Sequence, residues 1–567
     1  MRGYYYIISP LLPIARGKMD VFTFLVGGKA GEGVKKAGNA AADLLASRGL
    51  RVFQMDDYQS LIKGGHNFSV VSASMREITS HYMRANLAIN LDARSYDIHR
   101  NHLAEGGIAV FNSDLVKEGE GVGMPFTSEA KRYPDPGLRV GLGAVATLAV
   151  AVGMSAEELN KFVSSAYKRG LENNLAYAAA IHGKASPLLG GKFKLEKGGK
   201  PLPMLYGNEA IALGAAAGGL DIYIAYPMTP ASSILHVLAS HSETLRLAVV
   251  HPENEIAVAN IAIGAASAGA RAMVGTSGGG FALMEEALSL AGMTETPLLC
   301  ILSSRPGPST GVPTYTEQAD LKYALGQGHG EFPMPVASPG NSQEAFYLSA
   351  ELLALAWRFQ TPAILLTDKH TSESRMSVDI DASKAARPEP LMHSGGEYKR
   401  YLDTKDGVSP LLFYPSKELV KWNSYEHDEK GITIDAPEGI ARMHDKRRRK
   451  AQTLLEYMKS QRTVNTYGDG DSVIFAYGST TMSVLEAVRH GKLKAKVVQP
   501  IYLEPFPVWE MERYKGARSV AVEVSSTGQF ATLLKEKGNI DIDKTILKYD
   551  GRPFEPAELA AQLKGAL

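Results

Sequence analysis

Four short segments of this chain carry side chains whose types and spacing suit acid–base and anion-binding chemistry. His251-Pro252-Glu253-Asn254-Glu255 opens a small-residue helical pattern running through Gly264, with two acids at the helix start. Acids there can hold a proton for a bound group, or simply favour the positive end of the helix. Arg305 follows the apolar run Leu298 to Leu302, and its planar guanidinium suits a carboxylate. Thr229 in Tyr226-Pro227-Met228-Thr229-Pro230 and Thr314 in Gly311-Val312-Pro313-Thr314 are hydroxyls held in proline-fixed turns. The alternatives are an interdomain ion pair for Arg305 and helix caps for the threonines. His251, Glu253 and Glu255 make a poor metal set, because no second cluster completes the coordination.

The elements that must position these groups follow an α/β rhythm. Val21 to Val26 reads as a strand, Gly27 to Gly33 as a glycine turn, and the residues through Ala46 as a helix. Backbone N–H groups in such a turn can approach a phosphate. Its spacing is neither the dinucleotide fingerprint nor a P-loop, so an ordinary packing turn reads equally well. A second loop, Lys63-Gly64-Gly65-His66, precedes the strand-like Ser69 to Ser74, and His66 there could meet a ligand or a backbone carbonyl. Residues 189–203, rich in Gly, Lys and Pro, read as a linker. Beyond them a helix from Gly207, a strand Tyr223 to Tyr226, a helix Glu255 to Ala268 and a strand Arg271 to Thr276 lead to the turn Ser277 to Gly280. The alternation continues to Thr367 and predicts a largely parallel sheet. Residues 371–460 are more charged and less periodic, and their basic run Lys446 to Lys450 reads as a solvated face or connector. The last hundred residues recover the pattern, with strands at Ser472 to Tyr477, Lys494 to Gln499 and Ser519 to Val524.

Tyr223 to Ser233 and Arg305 to Asp320, together with the acidic helix start, resemble the α subunit of 2-oxoacid:ferredoxin oxidoreductases. The Gly27 to Gly38 and Lys63 to Phe68 segments resemble the γ domain of the same enzymes, here fused in front. The resemblance covers roughly residues 20–540. It implies an N-terminal extension (1–19), a γ-type α/β domain associated with coenzyme A (20–190) and a linker (191–203). After these come a pyrimidine-type thiamine-diphosphate domain (204–375), a connector (376–465) and a C-terminal transketolase-like domain (466–567). The implied reaction is oxidative decarboxylation of a 2-oxoacid, transfer of the acyl group to coenzyme A and reduction of ferredoxin. By resemblance Glu255 is the carboxylate that protonates the aminopyrimidine, with Pro227 in the cofactor wall. Arg305, Thr229 and Thr314 hold the substrate; Gly31, Gly33, Lys63 and His66 meet coenzyme A. The fused arrangement favours 2-oxoglutarate, with pyruvate, branched-chain and indolepyruvate-type 2-oxoacids open, as is a non-catalytic assembly role. Tyr315 departs from the basic residue, and Met228 from the isoleucine, that many family members carry. Glu426-His427-Asp428-Glu429-Lys430-Gly431 also matches, as a site-proximal or interface loop or a solvated turn.

Other features bound the partners. Cys300 is the one cysteine and lies in an apolar run, so a conventional iron–sulfur cluster cannot be held by this chain alone. Gly468-Asp469-Gly470 lacks the helix and paired Asn of a diphosphate–Mg²⁺ motif and reads as a hairpin or loop turn. The resemblance therefore implies a β subunit holding the diphosphate, Mg²⁺ and a [4Fe-4S] cluster, in an α2β2 assembly. A net charge of +1 gives no electrostatic case for nucleic acid, and no apolar stretch has membrane-spanning length. A cytoplasmic location is expected.

Overall fold

The computed structural model describes residues 20–59, 65–326 and 328–567. The chain divides into two compact units: the residues up to Met204 with Arg375–Val378, and Leu205–Ser374 with Asp379–Leu567.

The first unit is built on a mixed sheet with Val21–Lys29 near its middle, parallel to Ala85–Asn90 and antiparallel to His66–Ser74. Gly27 and Gly28, expected in the turn, belong to the strand. Neighbouring side chains explain them: a Cβ on Gly27 would stand 2.9 Å from the His99 ring, and one on Gly28 3.1 Å from Leu91 Cβ. The helix Val34–Ser47 lays its small residues Ala37, Gly38 and Ala41 on the sheet. A Cβ on Gly38 would lie 2.1 Å from Ser69 Oγ, so glycine sets how closely helix and sheet approach. His66 heads a strand rather than closing a loop. Lys63 and Gly64 lie outside the described residues.

The second unit contains a sheet ordered Tyr502–Glu504, Val336–Ala337, Pro362–Asp368, Leu298–Ser304, Ala272–Thr276, Ile222–Ile224 and Ala248–Val250. All neighbours but the first pair are parallel. Strands buried on both faces read as continuous apolar runs, as Leu298–Ser304 does, and Cys300 is buried in it. A further sheet in this unit is ordered Val464–Tyr467, Ala495–Pro500, Ser472–Phe475, Ser519–Glu523 and Lys544–Leu547. Gly468-Asp469-Gly470 is a loop between strands that both pair with Ala495–Pro500, not a hairpin between paired neighbours.

The basic run corrects its sequence reading. It lies on the helix Pro437–Met458, where Lys446, Arg447 and Lys450 are buried while Arg448 faces outward. Lys446 and Lys450, one helical turn apart, each reach a different oxygen of the fully buried Glu295, at 2.7 and 2.8 Å. Arg400 donates to the Glu295 carbonyl at 2.7 Å. Arg447 pairs with Glu426 at 2.6 Å, so the Glu426 to Gly431 turn is tied down at its acidic end. Among the described residues no helix is long and apolar enough to cross a membrane.

Candidate active site

Parallel α/β sheets present ligand-binding loops at the carboxyl ends of their strands. Four neighbouring strands of the second unit do so here. Ile222–Ile224 leads to Thr229, Ala248–Val250 to Glu255, Ala272–Thr276 to Ser277, and Leu298–Ser304 to Arg305.

Glu255 is the first residue of the helix Glu255–Ser267, whose N-cap Asn254 accepts from the Ala257 N–H at 2.9 Å. The cap leaves the Glu255 carboxylate unused by its own helix. Its side chain is 3 % exposed and Oε1 is buried without a hydrogen-bond partner. A buried carboxylate oxygen left unpaired is costly, and a group supplying a proton or donor there would remove that cost. Opposite it stands Gly280, where a Cβ would lie 2.5 Å from Glu255 Oε1 and 2.2 Å from Thr276 Oγ1. His251 and Glu253 are exposed, which separates them from Glu255.

The turn after Thr276 joins this carboxylate to the other predicted residues. Thr276 Oγ1 faces Met228 Sδ at 3.9 Å, next to Thr229. Gly278 packs on Asp320, a Cβ there standing 3.0 Å from Oδ2. Asp320 accepts from the Ser304 hydroxyl at 2.7 Å, beside Arg305. One arm of the Arg305 guanidinium donates to the Thr229 carbonyl at 2.6 Å. Burial pulls the Arg305 guanidinium below its ordinary range, with Asp320 opposing the shift, and burial pushes the Asp320 carboxyl up. Thr314 is buried and its hydroxyl, like that of Ser277, has no hydrogen-bond partner. Pro227 is exposed at the rim.

The remaining predicted residues lie in the first unit. Gly31 and Gly33 have φ of +100° and +76°, and nothing lies within 4 Å of a Cβ built at either. Gly33 caps the helix Val34–Ser47 without a side-chain acceptor, so backbone alone forms this end. His66 is 4 % exposed and shares a hydrogen bond with His99 between their Nε2 atoms at 2.9 Å; His99 in turn meets His102 through Nδ1 atoms at 3.2 Å. Burial lowers the His66 imidazole to about 4. Nothing local in the sequence marks His99 and His102, whereas Gln318 and Asp320 fall in the Arg305 to Asp320 segment without an individual role there. The glycine run at 278–280 was visible, but its contact with Glu255 was not.

Residues 213–445 match the family model described as pyruvate flavodoxin/ferredoxin oxidoreductase, thiamine diphosphate-binding, and residues 23–182 match that of pyruvate ferredoxin/flavodoxin oxidoreductase. The chain is 30 % identical to 2-oxoacid:ferredoxin oxidoreductase 1, subunit alpha, of Aeropyrum pernix over 94 % of this chain and 96 % of that one. It is 29 % identical to a 2-oxoglutarate oxidoreductase subunit KorA of Mycobacterium tuberculosis over 75 % of this chain and 68 % of that one. Its structure is similar to the solved 2-oxoglutarate:ferredoxin oxidoreductase of Magnetococcus marinus, with 2-oxoglutarate, coenzyme A and succinyl-CoA bound. That match has a TM-score of 0.88 at 27 % identity and covers 97 % of this chain and 100 % of that one.

Proposed function

The chain belongs to the 2-oxoacid:ferredoxin oxidoreductases as an α subunit, and from that premise we propose the role of each residue in its site. The enzyme decarboxylates a 2-oxoacid oxidatively with thiamine diphosphate, forms the acyl-coenzyme A and reduces ferredoxin. The observation that carries the residue assignment is the buried, unpartnered Glu255 Oε1 facing the Gly280 cradle.

Bound thiamine diphosphate supplies the carbon nucleophile and the electron sink. Glu255 would hold a proton against the ring nitrogen of its aminopyrimidine, in a dry setting that strengthens the hydrogen bond. Gly280 leaves room for a flat ring that any side chain would fill. The anchored arm of Arg305 leaves its other N–H donors for the carboxylate of the 2-oxoacid. Thr229 and the unpartnered Thr314 hydroxyl would orient that carboxylate and the ketone, so that the reacting carbon is presented in one pose. Partial burial of Arg305 would strengthen its hold on the anion relative to a fully exposed cation.

The relatives are named α subunits, which calls for a partner chain. We assign the diphosphate, Mg²⁺ and [4Fe-4S] cluster to a β subunit, in an α2β2 assembly that passes electrons to ferredoxin in the cytoplasm. Ile256, Ile261, Leu283 and Tyr226 are exposed apolar residues on or beside the elements that carry Glu255, Gly280 and Thr229, and a partner surface would cover them. Gly31, Gly33, Lys63 and His66 are assigned to coenzyme A. The Magnetococcus structure supports 2-oxoglutarate as substrate.

The purified complex should reduce a viologen dye with 2-oxoglutarate only when coenzyme A is present, and more slowly with pyruvate or 2-oxoisovalerate. Absence of reduction with every 2-oxoacid, from a complex replete with iron and thiamine diphosphate, would overturn the assignment.

A further inference from the structure

The loop that starts at Arg305 and carries Thr314 does not fix its own far end. Past Thr314 it enters a network contributed by residues 477–552 of the same unit. Gln318 is 3 % exposed and all its polar atoms are engaged. Its Nε2 donates to the Tyr477 carbonyl at 3.0 Å, and its Oε1 accepts from the Thr480 hydroxyl at 2.6 Å and the Val524 N–H at 3.1 Å. Its backbone N–H donates to the Val524 carbonyl at 2.6 Å. The neighbouring turn is glycine for a reason: Gly478 has φ +54°, and a Cβ there would lie 2.9 Å from Gln318 Nε2.

Adjacent residues are held the same way. The Thr316 N–H donates to the Gly551 carbonyl at 3.1 Å, and its hydroxyl donates to Asp368 Oδ1 at 3.3 Å. Asp368 accepts at its other oxygen from the Ser479 hydroxyl at 2.6 Å. The Arg552 guanidinium lies 3.7 Å from the centre of the Tyr315 ring, and Gln529 Nε2 donates to the Ala319 carbonyl at 2.7 Å. A fully satisfied buried network has one arrangement and resists deformation. A catalytic loop needs such support, because a displacement of about 1 Å can cost roughly 100-fold in rate.

We propose that Gln318 is a positioning residue: through it the C-terminal sheet sets the position of the loop bearing Thr314 and Arg305, and so the affinity for the 2-oxoacid, without touching the 2-oxoacid. The inference rests on the assignment of Arg305 and Thr314 to the substrate. It locates part of substrate recognition in residues far along the chain, Thr480 and Val524, which hold the glutamine.

The test uses the complex with its partner chain and four variants: Gln318→Leu, Thr480→Val, Thr480→Ser and Thr314→Val. Gln318→Leu should raise the KM for the 2-oxoacid by roughly 10- to 100-fold with a smaller fall in kcat. Thr480→Val should raise it several-fold, and Thr480→Ser, which keeps the hydroxyl, should restore it. Thiamine diphosphate affinity, read by fluorescence quenching, and the KM for coenzyme A should not move. If Gln318→Leu fails to assemble, the Thr480 pair decides. An elevated KM in Thr314→Val with wild-type KM in Thr480→Val and in any assembled Gln318→Leu overturns the positioning role alone. A wild-type KM in Thr314→Val removes the substrate-loop assignment beneath it.

Discussion

The Arg305 guanidinium and the Thr229 backbone carbonyl meet at 2.6 Å across 76 positions of sequence. This bond ties the loops after two strands of one parallel sheet and commits one arm of the cation to the protein. An ammonium group cannot make that anchor and a forked carboxylate contact in the same geometry. Arg305→Lys should therefore lower kcat/KM for the 2-oxoacid by roughly 30- to 100-fold, about 2–3 kcal/mol, with thiamine affinity retained. Steady-state kinetics of the complex check it.

Gly280 faces Glu255 with no space for a methyl group. Gly280→Ala should displace the carboxylate or occupy the ring position, weakening thiamine diphosphate binding by roughly 10- to 100-fold, the scale of one or two strained contacts. Titration of the complex with the cofactor measures this, and an unchanged melting temperature of the cofactor-free protein would locate the effect in the site.

Glu295 is fully buried among Lys446, Lys450 and the Arg400 guanidinium. Burial alone would raise its pKa, but the three cations outweigh burial and hold it well below the usual carboxylate range. Glu295→Gln leaves buried cations uncompensated and should cost about 3–5 kcal/mol at neutral pH. Burial lowers Lys450 to about 8, against Glu295. A base whose folded pKa lies below its unfolded value, about 10.4, binds more protons when unfolded between the two. Its unfavourable contribution is thus relieved as pH rises from about 8 towards 10. Glu295 holds the Lys450 pKa up, so in Glu295→Gln the ammonium loses its proton at lower pH than in wild type, and the destabilisation, measured as a difference in thermal melts, should shrink as pH rises towards about 8.

The chain His66, His99, His102 predicts acid sensitivity. Burial lowers His66 to about 4, with Asp92 opposing and Arg94 adding, and burial together with its two histidine neighbours lowers His99 well below its ordinary value. His66 and His99 are neutral when folded and protonate on unfolding below about 6.5. Their stability contribution is complete above pH 6.5 and lost as pH falls through about 4. His99→Phe removes one titrating group, so its melting temperature should fall less than that of wild type between pH 7 and 4.5.

Local pattern made much of the sheet legible. Apolar runs ending in Pro, Gly or Arg marked Leu298–Ser304 and Ala272–Thr276, and the acid-rich start marked the helix from Glu255. What escaped is long-range. Lys446 and Lys450 read as solvated because Glu295 lies some 150 positions upstream, and burial of a basic run is visible only with its counter-charge. Gln318 is an ordinary loop residue until Tyr477, Thr480 and Val524 close on it. Gly27 and Gly28 looked like turn residues, whereas the side chains packed against them, His99 and Leu91, make them strand residues.

The assignment of Glu255 to thiamine diphosphate is tested by the rate of deuterium exchange at the thiazolium C2 of the bound cofactor, by rapid quench and NMR. The complex should accelerate exchange over free thiamine diphosphate, and Glu255→Gln, with the cofactor still bound, should slow it by about 100- to 10,000-fold, the range of a single acid–base group. Exchange as fast in Glu255→Gln as in wild type would contradict the assignment.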